Sequence, residues 1–225
     1  MATPVSIAMA ILLGGMAMAG LSTHHFLSLL HGEPFPSLAT ADRLRPMDEV
    51  CVLAPRVDIT AGGAAVAVVP ISKPTIFAVG GFAVVRLERN GVVIWTLQAS
   101  EENPIHGPIP WPVEPIQPGE SFRLGLRPLG AGRHSYALIE IIGARAVVMN
   151  RSDALLGGLG ADPATWARAV GDRLEQSDLA LAIALLFAFE GPSGLDLDAL
   201  RLAVFQHGCG KGAIGPARAY PPSVI

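Results

Sequence analysis

The stretch from Phe82 to Gln98 limits the fold more than any other, because two runs of β-branched and aromatic residues flank Asn90-Gly91. A type I′ turn needs positive φ at both central residues, and Asn-Gly supplies it readily, so the stretch predicts a two-residue β-hairpin. A plain hairpin of this kind sets Arg89 against Val92, Leu87 against Ile94 and Val85 against Thr96 on one face. Arg86 then meets Trp95, an expected cation-π contact, and Val84 meets Leu97 on the other face. The first face is core. The second carries Phe82, Val84, Trp95 and Leu97, too much apolar surface to leave in water, so both faces are expected to be covered.

Short runs with turn signals surround the hairpin. Val50 to Leu53, Val57 to Thr60, Ala64 to Val69 and Thr75 to Val79 read as strands punctuated by Gly62-Gly63, Pro70, Pro74 and Gly80-Gly81. Beyond the hairpin, Phe122 to Arg127 alternates cleanly and Ser135 to Ile142 reads as a further strand. Between them, prolines at 104, 108, 110, 112, 115 and 118 surround Trp111. Proline at this density blocks ladder donation and favours extended geometry, so the segment predicts a stiff crossover or edge cover. The sum is a mainly β fold, an antiparallel β-sandwich of about seven or eight short strands over residues 49–150.

Past Asn150 the pattern turns helical. Asp162-Pro163 reads as an N-cap and first-turn proline for a helix through about Leu174. Ser177 is placed to cap a second helix over 178–190, and Gly191-Pro192 stops it. Its interior, Leu179 to Phe189, is apolar on every side, yet eleven residues rise only about 16 Å, roughly half a bilayer core. Such a helix must be buried in protein. A third helix starts near Asp196 and ends at His207 with Gly208 beyond it, giving about three helices over 151–212 before an extended tail at 213–225. The spare apolar face of the hairpin is the resting place expected for this trio.

The chain is 51% hydrophobic and only 16% charged, with formal net charge -3. That balance gives no electrostatic case for a nucleic-acid partner. Val5 to Ala19 is almost wholly apolar and ends in Ala17-Met18-Ala19, the small-x-small form of a signal-peptidase site. Residues 1–19 therefore read as a signal peptide or N-terminal anchor, followed by a linker over 20–48, and the protein as periplasmic or secreted in a bacterium. No Lys or Arg precedes Arg43, which leaves three accounts: a start codon upstream, a weak signal, or a retained membrane tether through residues 1–22. His24, His25 and His31 lack an acid or cysteine at ligand spacing and read as solvated or membrane-proximal.

Cys51 and Cys209 fit one disulfide in an exported protein, the alternative being two unrelated thiols. His207-Gly208-Cys209, with Ile105-His106-Gly107 upstream, resembles the motif of L,D-transpeptidases, exported enzymes of peptidoglycan cross-linking that use a cysteine paired with histidine. The resemblance implies a catalytic Cys209, but it covers only these positions. Gln206 replaces the usual Ser, Gly210 and Lys211 stand where Arg belongs, and the two elements lie about a hundred residues apart. A thiolate at a helix C-terminus is also disfavoured by the helix dipole. Gly208 to Gly212 lacks the first glycine and the Ser or Thr of a phosphate loop, and no Gly-x-Ser-x-Gly occurs. Glu101, Glu102 and Asn103 offer too few oxygens for a calcium cage.

No metal or cofactor is implied, and no catalytic set is assembled. The leading expectation is an exported, non-catalytic cell-envelope protein acting as an interaction or structural module, its partner an unknown envelope protein or glycan. The alternative is a carbohydrate or small-ligand binding sandwich that presents Trp111 on its stiff loop.

Overall fold

A computed structural model describes residues 50–100 and 102–209. The expected signal or anchor, the linker with its histidines, Glu101 and the tail lie outside the described residues.

Among the described residues nine strands form two sheets. They are β1 (Cys51–Ala54), β2 (Asp58–Ile59), β3 (Ala65–Val69), β4 (Ile76–Val79), β5 (Phe82–Arg89), β6 (Val92–Gln98), β7 (Pro108–Ile109), β8 (Ser121–Pro128) and β9 (Ala137–Gly143). Four helices follow among the described residues, α1 (Ala146–Gly158), α2 (Pro163–Glu175), α3 (Leu179–Leu186) and α4 (Leu195–Gly208), where three were expected. The larger sheet has the order β2-β3-β9-β8-β5-β6 and the smaller β1-β4-β7. All pairings are antiparallel except β3 with β9. The proline-rich segment supplies β7, which pairs with β4 through Ile76 and Ile109, and Ile116 then buries itself completely. The stiff crossover is thus also the third strand of the small sheet.

The layers are large sheet, small sheet, helices. Val50, Val52, Ile76 and Ala78 face the large sheet, where Val85, Leu87, Leu124, Leu126, Ile139 and Ile141 meet them. Cys51, Leu53 and Phe77 face the other way and meet the helices, with Phe77 and Phe187 at 5.3 Å between ring centroids. The short sheet therefore lies between two apolar layers. Every residue of β1 is buried for that reason, as in a strand covered on both faces.

This placement corrects the expected resting place of the helices. The hairpin forms with Asn90 at φ 54° and Gly91 at φ 77°, as the turn requires. Glu88 faces Val93 as a plain hairpin dictates, but the next pair is Leu87 with Trp95, so Ile94 is the extra residue of a β-bulge. Beyond a bulge every side chain changes face. Trp95 and Leu97 consequently join Leu87 and Val85 on the inner side, where Ile94 and Trp95 pack at the margin of the inter-sheet core. The outer side holds Arg86 and Glu88 opposite Thr96 and Val93, and it needs no apolar cover. Helix α3, buried among β1, α2 and α4, covers the small sheet instead.

The helices start and stop for local reasons. Asp162 caps α2, accepting from the backbone N–H of Ala164 and Thr165 and from the Thr165 hydroxyl at 2.6 Å. These bonds, the hydroxyl first, hold its carboxyl below the usual carboxylate range. Ser177 does not cap α3 as expected: it takes φ 57° in the turn, and Asp178 caps instead, accepting from Leu181 N–H at 3.2 Å. Helix α3 ends at Leu186, short of Glu190, because Arg201 of α4 donates to the Leu186 carbonyl at 2.8 Å and to Pro192 at 3.2 Å. The unexpected α1 has no side-chain cap and carries Val147 and Val148, poor helix formers, in its first turn. Its buried Met149 and Ser152, and Asp153 accepting from Ser72 N–H at 3.0 Å, hold it against the sandwich.

Candidate binding surfaces

Trp111 is 8% exposed. Its indole N–H donates to the Glu114 carbonyl at 2.9 Å and its ring stands edge-on to Phe122 at 5.3 Å. A stacking platform needs an open ring face, and here the ring plugs the inter-sheet core, so the sugar-binding role expected of it is not carried forward. Cys51 and Cys209 are joined in a disulfide, 158 positions apart. The bridge fastens the end of α4 to the helix-facing side of β1, and it removes the thiolate that the transpeptidase resemblance requires. His106 is exposed and donates from Nδ1 to the Gly80 carbonyl at 3.0 Å. Among the described residues no three His, Cys, Asp or Glu side chains converge as a metal site.

Three surfaces remain that could hold a partner. The first is strand β6, the last strand of the large sheet, with nothing paired to its outer edge among the described residues. Its seven residues carry no charge and include Val92, Val93 and Leu97, all exposed. Protein edges of this length are normally guarded by Lys, Pro or an inward charge, and here only the bulge at Ile94 interrupts the edge.

The second surface is the outer face of the large sheet. Gly125 leaves room there for two side chains, since a Cβ would meet Arg86 Cγ, Arg86 Nε and Tyr136 Cδ1, each at 3.2 Å. Arg86 uses the space to lie over the Tyr136 ring at 4.1 Å, and not on Trp95, which the bulge has turned inward. Glu88 pairs with Arg86 at 2.9 Å and with Arg123 at 3.7 Å. This face is charge-compensated around Glu88, and Val68, Val93 and Leu138 stand exposed on it as well.

The third is a groove of about 650 Å³ where the β2 and β3 margin of the large sheet meets the helical layer. Val68, Val148, Leu174 and Leu179 give it apolar walls, and Arg56, Asp58, Arg145 and Asp178 line it as well. Arg145 stands just before α1 and Asp178 just before α3, so two helix starts carry opposite charges to one cavity. No spacing along the sequence announces this meeting, which is made by the turn before α1 and the turn between α2 and α3.

No family model and no curated protein matches the sequence. Among solved structures, the fibronectin(III)-like modules of Clostridium thermocellum CbhA align with 43% of this chain and 98% of their own, at 13% identity and a TM-score of 0.26. A likeness that slight carries no argument about fold or function.

Proposed function

We propose that the protein is an exported, non-catalytic envelope module that binds an extended segment of another envelope protein by strand addition to β6. One observation carries the reading: an uncharged seven-residue edge, open along its length among the described residues, at the end of the large sheet. Strand addition draws its affinity from main-chain hydrogen bonds and its selectivity from alternate side chains, and β6 offers both. Seven residues present an edge of about 24 Å at 3.4 Å per residue. Export is supported by the apolar Val5 to Ala19 run with its small-x-small end, and by a disulfide, which persists in oxidising compartments. A binding role, as against a catalytic one, is supported by the loss of Cys209 as a nucleophile.

The test is photo-cross-linking in the cells that make the protein, with the reactive residue placed at position 93 or 97, and at position 147 as an exposed control on α1. The proposal expects one discrete adduct from 93 and 97 that is absent from 147 and disappears when Thr96 is replaced by Pro. Adducts shared with position 147, or none from β6, would overturn it.

A further inference from the structure

The groove at the β2 and β3 margin holds a different kind of information from the open edge. Its volume of about 650 Å³ falls in the range of small-molecule sites, ~300–1,000 Å³. Val68 lines it while 52% exposed, an apolar side chain that the fold leaves uncovered at this point.

The charges decide what could enter. Arg56 and Asp58 neutralise each other at 3.1 Å. Arg145 and Asp178 line the same space and pair neither with each other nor with any other described residue. One oxygen of Asp178 accepts the Leu181 N–H, and its other oxygen has no hydrogen-bond partner among the described residues. The Arg145 guanidinium, with five donors in a planar fork suited to a carboxylate, is likewise without an acceptor among the described residues. An apolar cavity bearing one unneutralised cation and one unneutralised anion is matched by a ligand that carries both charges on an apolar body.

We propose that this groove binds a small apolar zwitterion, an apolar amino acid or dipeptide, with the ligand carboxylate on Arg145, the ligand ammonium on Asp178 and the side chain against Val68, Val148 and Leu179. Neither charge would be left unpaired in the complex, and the ionised hydrogen bonds formed are stronger than neutral ones. The inference is independent of the β6 edge.

The experiment is calorimetric titration of the folded protein with leucine and with Leu-Leu, each also in its N-acetyl and its C-terminal amide form. At least one free zwitterion should saturate the protein, and the two blocked forms should bind about tenfold more weakly or worse. Asp178→Asn keeps an N-cap for α3 and removes the charge; it should bind the N-acetyl form as well as the free one. Arg145→Gln should bind the amide as well as the acid, and Arg133→Gln, an exposed change on the β8 to β9 connection, should behave as wild type. No saturation by either zwitterion at millimolar concentration would overturn the assignment, as would blocked forms that bind wild type like the free ones. The blocked ligands apply the test to the unaltered chain, so the conclusion does not depend on the variants folding.

Discussion

Replacing both cysteines by alanine, Cys51→Ala with Cys209→Ala, tests how the helical layer is held on the small sheet. The bridge closes a separation of 158 residues, for which the chain-entropy relation gives about 5 kcal/mol of constraint on the unfolded chain. Cys51 is 2% exposed, so the lost sulfur adds a small packing cost. The contacts of Leu197 and Val204 with the rest of the helical core survive the change, which leaves α4 docked but untied. At about 2–4 °C per kcal/mol for a chain of this size, the expected fall in melting temperature is about 10–20 °C. Urea unfolding should be followed by tryptophan fluorescence, since Trp111 lies in the sandwich and Trp166 in the helical core. The wild type under reductant should coincide with the double variant, because both lack the same cross-link. A reduced wild type within about 1 kcal/mol of the oxidised one would refute the reasoning, because a bridge closing so long a loop cannot be that weak on this account.

Gly125→Val should destabilise by about 1–3 kcal/mol, since its side chain would displace Arg86 and Tyr136 from the outer face, and chemical unfolding measures it. Asp162 has a folded-state pKa below its ordinary 3.8, so the stability it supplies is present above about pH 3.8 and fades as pH falls through the lower folded value. The melting temperatures of wild type and Asp162→Ala should accordingly differ at neutral pH and converge in acid; a gap that stays constant through that window would count against the cap.

Much of the architecture was legible because local chemistry decided it. Asn90-Gly91, the proline and glycine punctuation between the short strands and Asp162-Pro163 each favour a turn or a cap locally, and the chain turns or starts a helix at each. The pairing of Cys51 with Cys209 was legible in outline, as two cysteines allow only one bridge. What stayed hidden depends on single residues acting at a distance. Ile94 looks like any other β-branched residue, yet as a bulge it turns Trp95 and Leu97 inward and moves the expected site of the helical cover from the hairpin to β1 and β4. The run Val50 to Ala54 carried the true signal of a strand covered on both faces. Helix α1 was hidden by weak propensity and a missing cap, and β7 by the prolines on either side of Ile109, which pairs with β4 as the edge strand of the small sheet. Neither binding surface was legible: the open edge depends on the strand order that puts β6 last, and Arg145 and Asp178 meet only through tertiary folding.

The central claim is that β6 presents an open edge, and residue-resolved amide hydrogen exchange on the isolated protein at low concentration tests it most directly. On this account the β6 amides that point at β5 are protected while those that alternate with them exchange like solvent-exposed groups, and β5 itself, held between β6 and β8, is protected throughout. Uniform protection along Val92 to Gln98 would contradict the claim, because it would mean that the outer edge is already paired.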